Sequence, residues 1–251
     1  MKAIIIAAGI SSRLRPFTND MPKCMLDVGG KTILEIIIDS FISNNINDIS
    51  IIRGYKKEVI NVPGAKYYEN VDFQNNNILE SLFSAEEEMN GEFMFTYSDI
   101  IYTKEVVKKL LKTKADIAII VDTDWKKRYE GRTLHPVSEA ELVLSEGGYV
   151  KKIGKGIEPE NAHGEFIGLG MCSDRGAHIL KDIYNEVKVQ FKEKQFHHAI
   201  SIKKAYLTDM IQELVDRGIK IKIVDISGGW LEIDTLQDFE RALAMWGSQN
   251  E

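Results

Sequence analysis

Short apolar runs with no polar alternation recur along this chain. Residues 3–8, Ala-Ile-Ile-Ile-Ala-Ala, are the first of them. Such β-branched runs predict strands buried on both faces, as in parallel sheets. Runs of the same kind occupy 48–53, 92–99, 116–121, 164–172 and 219–226. Between them, apolar residues fall at helical spacing. This predicts helices over 32–44, with Ile33, Ile36, Ile37 and Phe41 inward, and over 55–60, 78–85, 104–112, 174–189, 203–217 and 236–245. Gly218 stops the sixth of these and Thr235 is a candidate cap for the last. A hairpin is expected over 141–155, turning at Gly147-Gly148. The alternation of strand and helix predicts an α/β fold with right-handed crossovers and a mainly parallel sheet. Ligands of such sheets bind outside the carboxyl ends of the strands. Gly9 and Asp99 both end predicted strands and are expected to share one crevice.

Composition narrows the class. A chain of 251 residues with 44% hydrophobic content suits one large α/β domain or two small ones. The formal charge of −6 argues against a general nucleic-acid binder. Any anionic ligand must then be held by local cations or a metal. Two distant cysteines, Cys24 and Cys172, suggest a reducing, cytoplasmic setting rather than a disulfide scaffold. The apolar run at 3–10 enters Arg13 and Arg15 too soon for a signal peptide. No run approaches the roughly 20 apolar residues that span a bilayer.

The first strand opens into a small, basic loop. Gly9 precedes Ser11, Ser12, Arg13, Leu14, Arg15, Pro16, Thr18, Pro22 and Lys23. Consecutive backbone N–H groups in such a turn cradle phosphate oxygens. The stretch holds neither a Walker A string nor the three glycines of a dinucleotide fingerprint. The order Ala7-Ala8-Gly9, Ser11-Ser12-Arg13-Leu14, Pro16, Thr18, Pro22-Lys23 resembles the signature of the nucleotidyltransferases that make sugar nucleotides and their relatives. Ser11 stands where many of these carry a second glycine, and it keeps the turn only if its φ is negative.

The resemblance covers nearly the whole chain. It implies a Rossmann-like three-layer sandwich with a mixed, mainly parallel sheet, the nucleotide-diphospho-sugar transferase fold. It also implies a single domain over 1–251 with a substrate-binding insert at about 122–172. Catalytic roles fall on Lys23, which would contact the α-phosphate, and Arg13, which would clamp the departing pyrophosphate. Ala7, Ala8, Gly9, Ser11, Ser12 and Ser98 would surround the nucleotide. Asp99 and Asp234, 135 positions apart, match the family's aspartates for Mg²⁺. Asn77 and Ser81 lie four apart near the start of one helix and share a face. Their segment resembles that of cytidylyltransferases of small phosphorylated alcohols and amines, which implies CTP.

The acceptor is read from 122 onward. Lys155 lies where sugar-nucleotide relatives hold the acceptor phosphate, and Glu165 follows as in the family. The segment with Trp125, Tyr129, Arg132, His135, Glu139 and Glu141 resembles cytidylyltransferases of 2-aminoethylphosphonate or 2-hydroxyethylphosphonate. Arg132 is suited to bind a phosphonate bidentately. Glu139 or Asp124 is suited to pair with an amine. A choline head would instead need an aromatic cage, with Trp125, Tyr129 and Trp230 as candidates. The expected reaction joins CMP from CTP to a small phosphonate and releases pyrophosphate. Phosphocholine and sugar 1-phosphates are the alternative acceptors, and a non-catalytic nucleotide-sensing subunit is the alternative of another class. The expected partners are CTP and a small phosphonate or phosphate monoester, with no nucleic acid and no membrane, and a homodimer is left open.

Overall fold

The computed structural model describes residues 1–192 and 194–246. Its elements, in chain order, are β1 (Lys2–Ala7), α1 (Ile33–Ile42), β2 (Asp48–Arg53), β3 (Lys66–Glu69), α2 (Ile78–Phe83), β4 (Phe93–Tyr97), β5 (Ile100–Tyr102), α3 (Lys104–Leu111) and β6 (Ile117–Asp122). There follow α4 (Trp125–Tyr129), β7 (Leu142–Glu146), β8 (Tyr149–Gly154), β9 (Gly164–Cys172), α5 (Asp174–Gln190), α6 (Leu207–Asp216), β10 (Ile221–Ile226), β11 (Trp230–Glu232) and α7 (Leu236–Trp246).

Nine strands form one sheet in the order β3-β2-β1-β4-β9-β6-β10-β8-β7. The pairings are parallel from β3 to β4 and between β6 and β10, and antiparallel at β9 and β8. Only β8 and β9 therefore run against the rest among the described residues. The sheet is mixed and mainly parallel, as expected. Alternate residues of β1 serve two cores, which is why the strand shows no polar alternation. Ala3, Ile5 and Ala7 pack with Phe41, Val107 and Ala242 on one face, and Ile4, Ile6 and Ala8 pack with Leu79, Tyr184 and Leu214 on the other. The result is a three-layer α/β sandwich. No described helix is long and apolar enough to cross a membrane.

Several local expectations change. The helix expected at 55–60 is a single 3₁₀ turn, Lys57–Val59. The helix expected at 203–217 is split by Ala205 and Tyr206 into a 3₁₀ turn, Ile202–Lys204, and α6. Of the expected insert, residues 142–146, 149–154 and 164–172 supply β7, β8 and β9 to the main sheet, and 123–141 and 155–163 lie outside it. Strand β10 is not the last, because the short β11 pairs antiparallel with β5 as a separate ribbon.

Candidate active site

The ribbon explains how two acids distant in sequence meet. Glu232 pairs with Ile100, and the Ile233 amide donates to the Asp99 carbonyl at 2.8 Å. Asp234 follows directly and stands beside Asp99. Thr235 and Asp238 then close a reciprocal cap at the start of α7. The Asp238 amide donates to Thr235 Oγ1 at 3.3 Å, and Asp238 Oδ2 accepts from the Thr235 amide and the Asp234 amide at 2.9 and 3.2 Å. This fixes the backbone that carries Asp234.

Lys23 lies between the two acids. Pro22 sets an extended approach into a 3₁₀ turn, Lys23–Met25, which buries the lysine stem. Lys23 Nζ donates to Asp99 Oδ2 at 3.1 Å and to Asp234 Oδ1. Burial would lower the ammonium pKa, but the two carboxylates outweigh it and hold the group charged, above the usual lysine range. Arg13 donates to the other oxygen of Asp234. Despite burial, Lys23 and Arg13 hold the Asp234 carboxyl down at about 2. Asp99 Oδ1 is buried with no hydrogen-bond partner.

Around this cluster the crevice has two lobes. The first, about 160 Å³, is lined by Ala8, Gly9, Ser11, Lys23, Asn76, Asn77, Ser81 and Ser98. The second, about 400 Å³, is lined by Arg13, His135, Glu139, Glu141, Lys155, Glu165, Tyr206, Trp230, Glu232 and Asp234. Asn77, Ile78, Tyr97 and Asp99 belong to both and mark the junction. Gly9 and Asp99 thus share one crevice at the carboxyl ends of β1 and β4.

In the first lobe, Ser81 Oγ accepts from Asn70 Nδ2 at 2.8 Å and donates to the Asn77 carbonyl at 3.2 Å. Asn77 Nδ2 donates one N–H to the Lys204 carbonyl at 3.1 Å, which leaves Oδ1 and the second N–H for a ligand. Asn77 holds the position before α2 without a side-chain capping bond. Ser11 departs from expectation: its φ is +54°, in the left-handed region. The Ser11 carbonyl accepts from Thr18 Oγ1 at 2.9 Å and from the Leu14 amide at 3.3 Å, and these bonds fix the turn. Ala7 is buried within β1 and Ser12 is exposed at the start of the 3₁₀ turn, so neither lines the crevice.

In the second lobe, Lys155 Nζ donates to Glu139 Oε2 at 2.6 Å and lies 4.7 Å above the Tyr206 ring. Burial opposes its charge, but Glu139 holds its pKa above the usual range. Glu141 accepts from Tyr97 Oη at 3.1 Å and Thr208 Oγ1 at 3.3 Å. Burial raises its carboxyl to about 7. Glu165 Oε1 accepts from Tyr129 Oη at 2.6 Å, Oε2 has no partner, and burial raises this carboxyl to about 8. His135 is buried with Nδ1 3.5 Å from Asp234 and Nε2 3.6 Å from Glu232. Burial and Arg132 lower its pKa. His135, Glu232 and Asp234 also bring three ligand-type atoms within 4.8 Å of one another.

Four expected acceptor residues do not reach the crevice. Arg132 is a correction: its guanidinium pairs with Asp238 at 2.7 Å and Glu232 at 3.0 Å, behind the lobe rather than in it. Trp125 is buried edge-on against Tyr129, and Tyr129 supports Glu165 from behind. Neither forms a cage. Asp124 is spent on Lys127 and Ser227. Sequence reasoning missed Asn76, Tyr97, Tyr206 and Glu232. The Asn run at 75–77 was the available signal for Asn76, and no local signal marks the other three.

Known proteins share this plan. The profile of the MobA-like NTP transferase domain matches residues 3–162. The chain is 30% identical over 254 residues to a CTP:phosphoglutamine cytidylyltransferase of Campylobacter jejuni, covering 96% of this chain and 98% of that protein. It is 25% identical to a 2-aminoethylphosphonate cytidylyltransferase of Lancefieldella rimae, covering 73% of each. The fold superposes on the structure of a CTP:phosphocholine cytidylyltransferase from Streptococcus pneumoniae with a TM-score of 0.71 at 22% identity, over 98% of both chains.

Proposed function

Because the chain belongs to the MobA-like NTP transferase family and is a nucleotidyltransferase, we propose that it transfers CMP from CTP to a small phosphonate or phosphate monoester. The observation that carries this reading is Lys23 held between Asp99 and Asp234 at the junction of two lobes. The triphosphate takes the first lobe and the acceptor the second. Lys23 then exchanges its carboxylate contacts for the α-phosphate, and Arg13 for the departing pyrophosphate. An ionised oxygen of the acceptor attacks the α-phosphorus, and the bond to the β-bridging oxygen breaks. The nucleophile is already charged, so positioning and charge neutralisation supply the catalysis and no general base is required.

The base assignment rests on Asn77. Cytosine presents an exocyclic amine donor where thymine presents an oxygen acceptor. The Lys204 carbonyl takes one N–H of Asn77, and the amide oxygen, which no donor among the described residues occupies, is an acceptor suited to the cytosine amine.

The acid pair fits a hard divalent cation such as Mg²⁺. Asp99 offers a buried oxygen with no partner, and Asp234 is held ionised. Bound there, the ion would offset charge on the triphosphate. The sensor reading fits less well, since Lys23, Asp99 and Asp234 are all present and in contact.

The test is pyrophosphate release with CTP, UTP, dTTP or ATP and 2-aminoethylphosphonate, phosphocholine or a sugar 1-phosphate. We expect release with CTP and a small phosphonate or phosphate monoester. We expect Lys23→Met to reduce turnover by about 100-fold or more, the scale of losing one preorganised donor at developing charge. Consumption of UTP or dTTP alone would refute the base assignment. CTP binding without turnover would favour the sensor.

A further inference from the structure

Two carboxyl groups in the second lobe have no cation of their own. Asp234 is paired with Lys23 and Arg13, Glu232 with Arg132, and Glu139 with Lys155. Among the described residues, no Lys, Arg or His nitrogen lies within ion-pair distance of Glu141 or Glu165. Their partners are the neutral hydroxyls of Tyr97, Thr208 and Tyr129. The two are neighbours: the Phe166 amide donates to the Glu141 carbonyl at 2.8 Å, and Leu142 pairs with Glu165. Glu165 is only 4% exposed, and its Oε2 meets no donor. A buried carboxylate without a counter-charge is costly. A site built this way is completed by a ligand that brings both charge and N–H donors.

Resting on the cytidylyltransferase reading, we propose that the acceptor carries a primary ammonium group, bound by Glu165 and Glu141, at the end opposite its phosphonate or phosphate. Lys155 lines the same lobe and supplies positive charge for the anionic end. A quaternary ammonium head fits poorly. It has no N–H to give Glu165 Oε2, and two of the four Phe, Tyr and Trp side chains lining the lobe, Tyr206 and Trp230, are already engaged. Lys155 covers the Tyr206 ring, and Trp230 is 4% exposed with its indole N–H bound to Asp122 at 2.8 Å. With an uncharged hydroxyl in the lobe, burial keeps the Glu165 carboxyl protonated, and no charge pair forms with the ligand.

Binding can be measured apart from turnover. Calorimetric titration of the enzyme, with CTP and metal omitted, compares 2-aminoethylphosphonate, 2-hydroxyethylphosphonate and the trimethylammonium analogue of the first. We expect the amine to bind at least about 30-fold more tightly than the hydroxyl compound, within the discrimination reached by sites that hydrogen-bond a lost group. Glu165→Gln should weaken the amine about 10-fold or more and leave the hydroxyl compound unchanged. Glu141→Gln is the second variant, should the first fold poorly. Equal affinity for amine and hydroxyl, tighter binding of the trimethylammonium compound, or no binding of the amine would each overturn the proposal. Pyrophosphate release reports separately on the cytidylyltransferase reading, so a failure of one is not mistaken for a failure of the other.

Discussion

Glu165 combines two roles at one position. It lines the second lobe from β9, and its burial disfavours the charged carboxylate in the unliganded enzyme. Burial raises its carboxyl from 4.5 to about 8. The folded state therefore holds the proton more tightly than the unfolded chain. The neutral group's contribution to stability is complete below about 4.5 and is lost as pH rises through about 8. In a thermal-melt series between pH 5 and 8.5, wild type should lose stability relative to Glu165→Gln as pH rises. A difference independent of pH would contradict the assignment. Arg132 gives the opposite lesson at the same scale. Its side chain suits a phosphonate, yet Asp238 and Glu232 occupy its hydrogen-bonding fork. Which face of the 123–141 segment meets α7 is decided by contacts about 100 residues away, and no local pattern carries that information.

At the scale of elements, β9 depends on a glycine. Gly168 has φ +85°, and a Cβ there would lie 2.3 Å from Tyr97 Cδ2. This close approach seats the Tyr97 ring at the junction of the lobes, where its hydroxyl meets Glu141. Gly168→Ala should cost about 1–3 kcal/mol, the range for overpacking, and displace Tyr97. A chemical-denaturation midpoint equal to wild type would refute this. The long strands were legible because a run buried on both faces shows unbroken β-branched apolar sequence; β2 and β9 span the expected residues. Helix α1 begins one residue inside its expected start, with a Thr32–Glu35 capping box. Strands β3, β5 and β11 were not legible. Each has three or four residues, and β5 and β11 exist through pairing across about 130 positions. Yet that ribbon is what joins Asp99 to Asp234. The turn at Ser11 was misjudged because tertiary bonds to its carbonyl outweigh the steric preference for negative φ.

At the scale of the whole molecule, a net charge of −6 coexists with a site for a highly charged anion. The cations of the site are few and local. Lys23 lines the first lobe, and Arg13 and Lys155 line the second. In the unliganded protein each is neutralised by an acid that the substrates or a metal can replace. The most direct measurement is a crystal structure with CTP and Mg²⁺. The account predicts cytosine against Asn77 in the first lobe, Lys23 Nζ in contact with the α-phosphate, and the metal on Asp99 and Asp234. A triphosphate bound away from Lys23, with the Lys23–Asp99–Asp234 contacts intact, would contradict it.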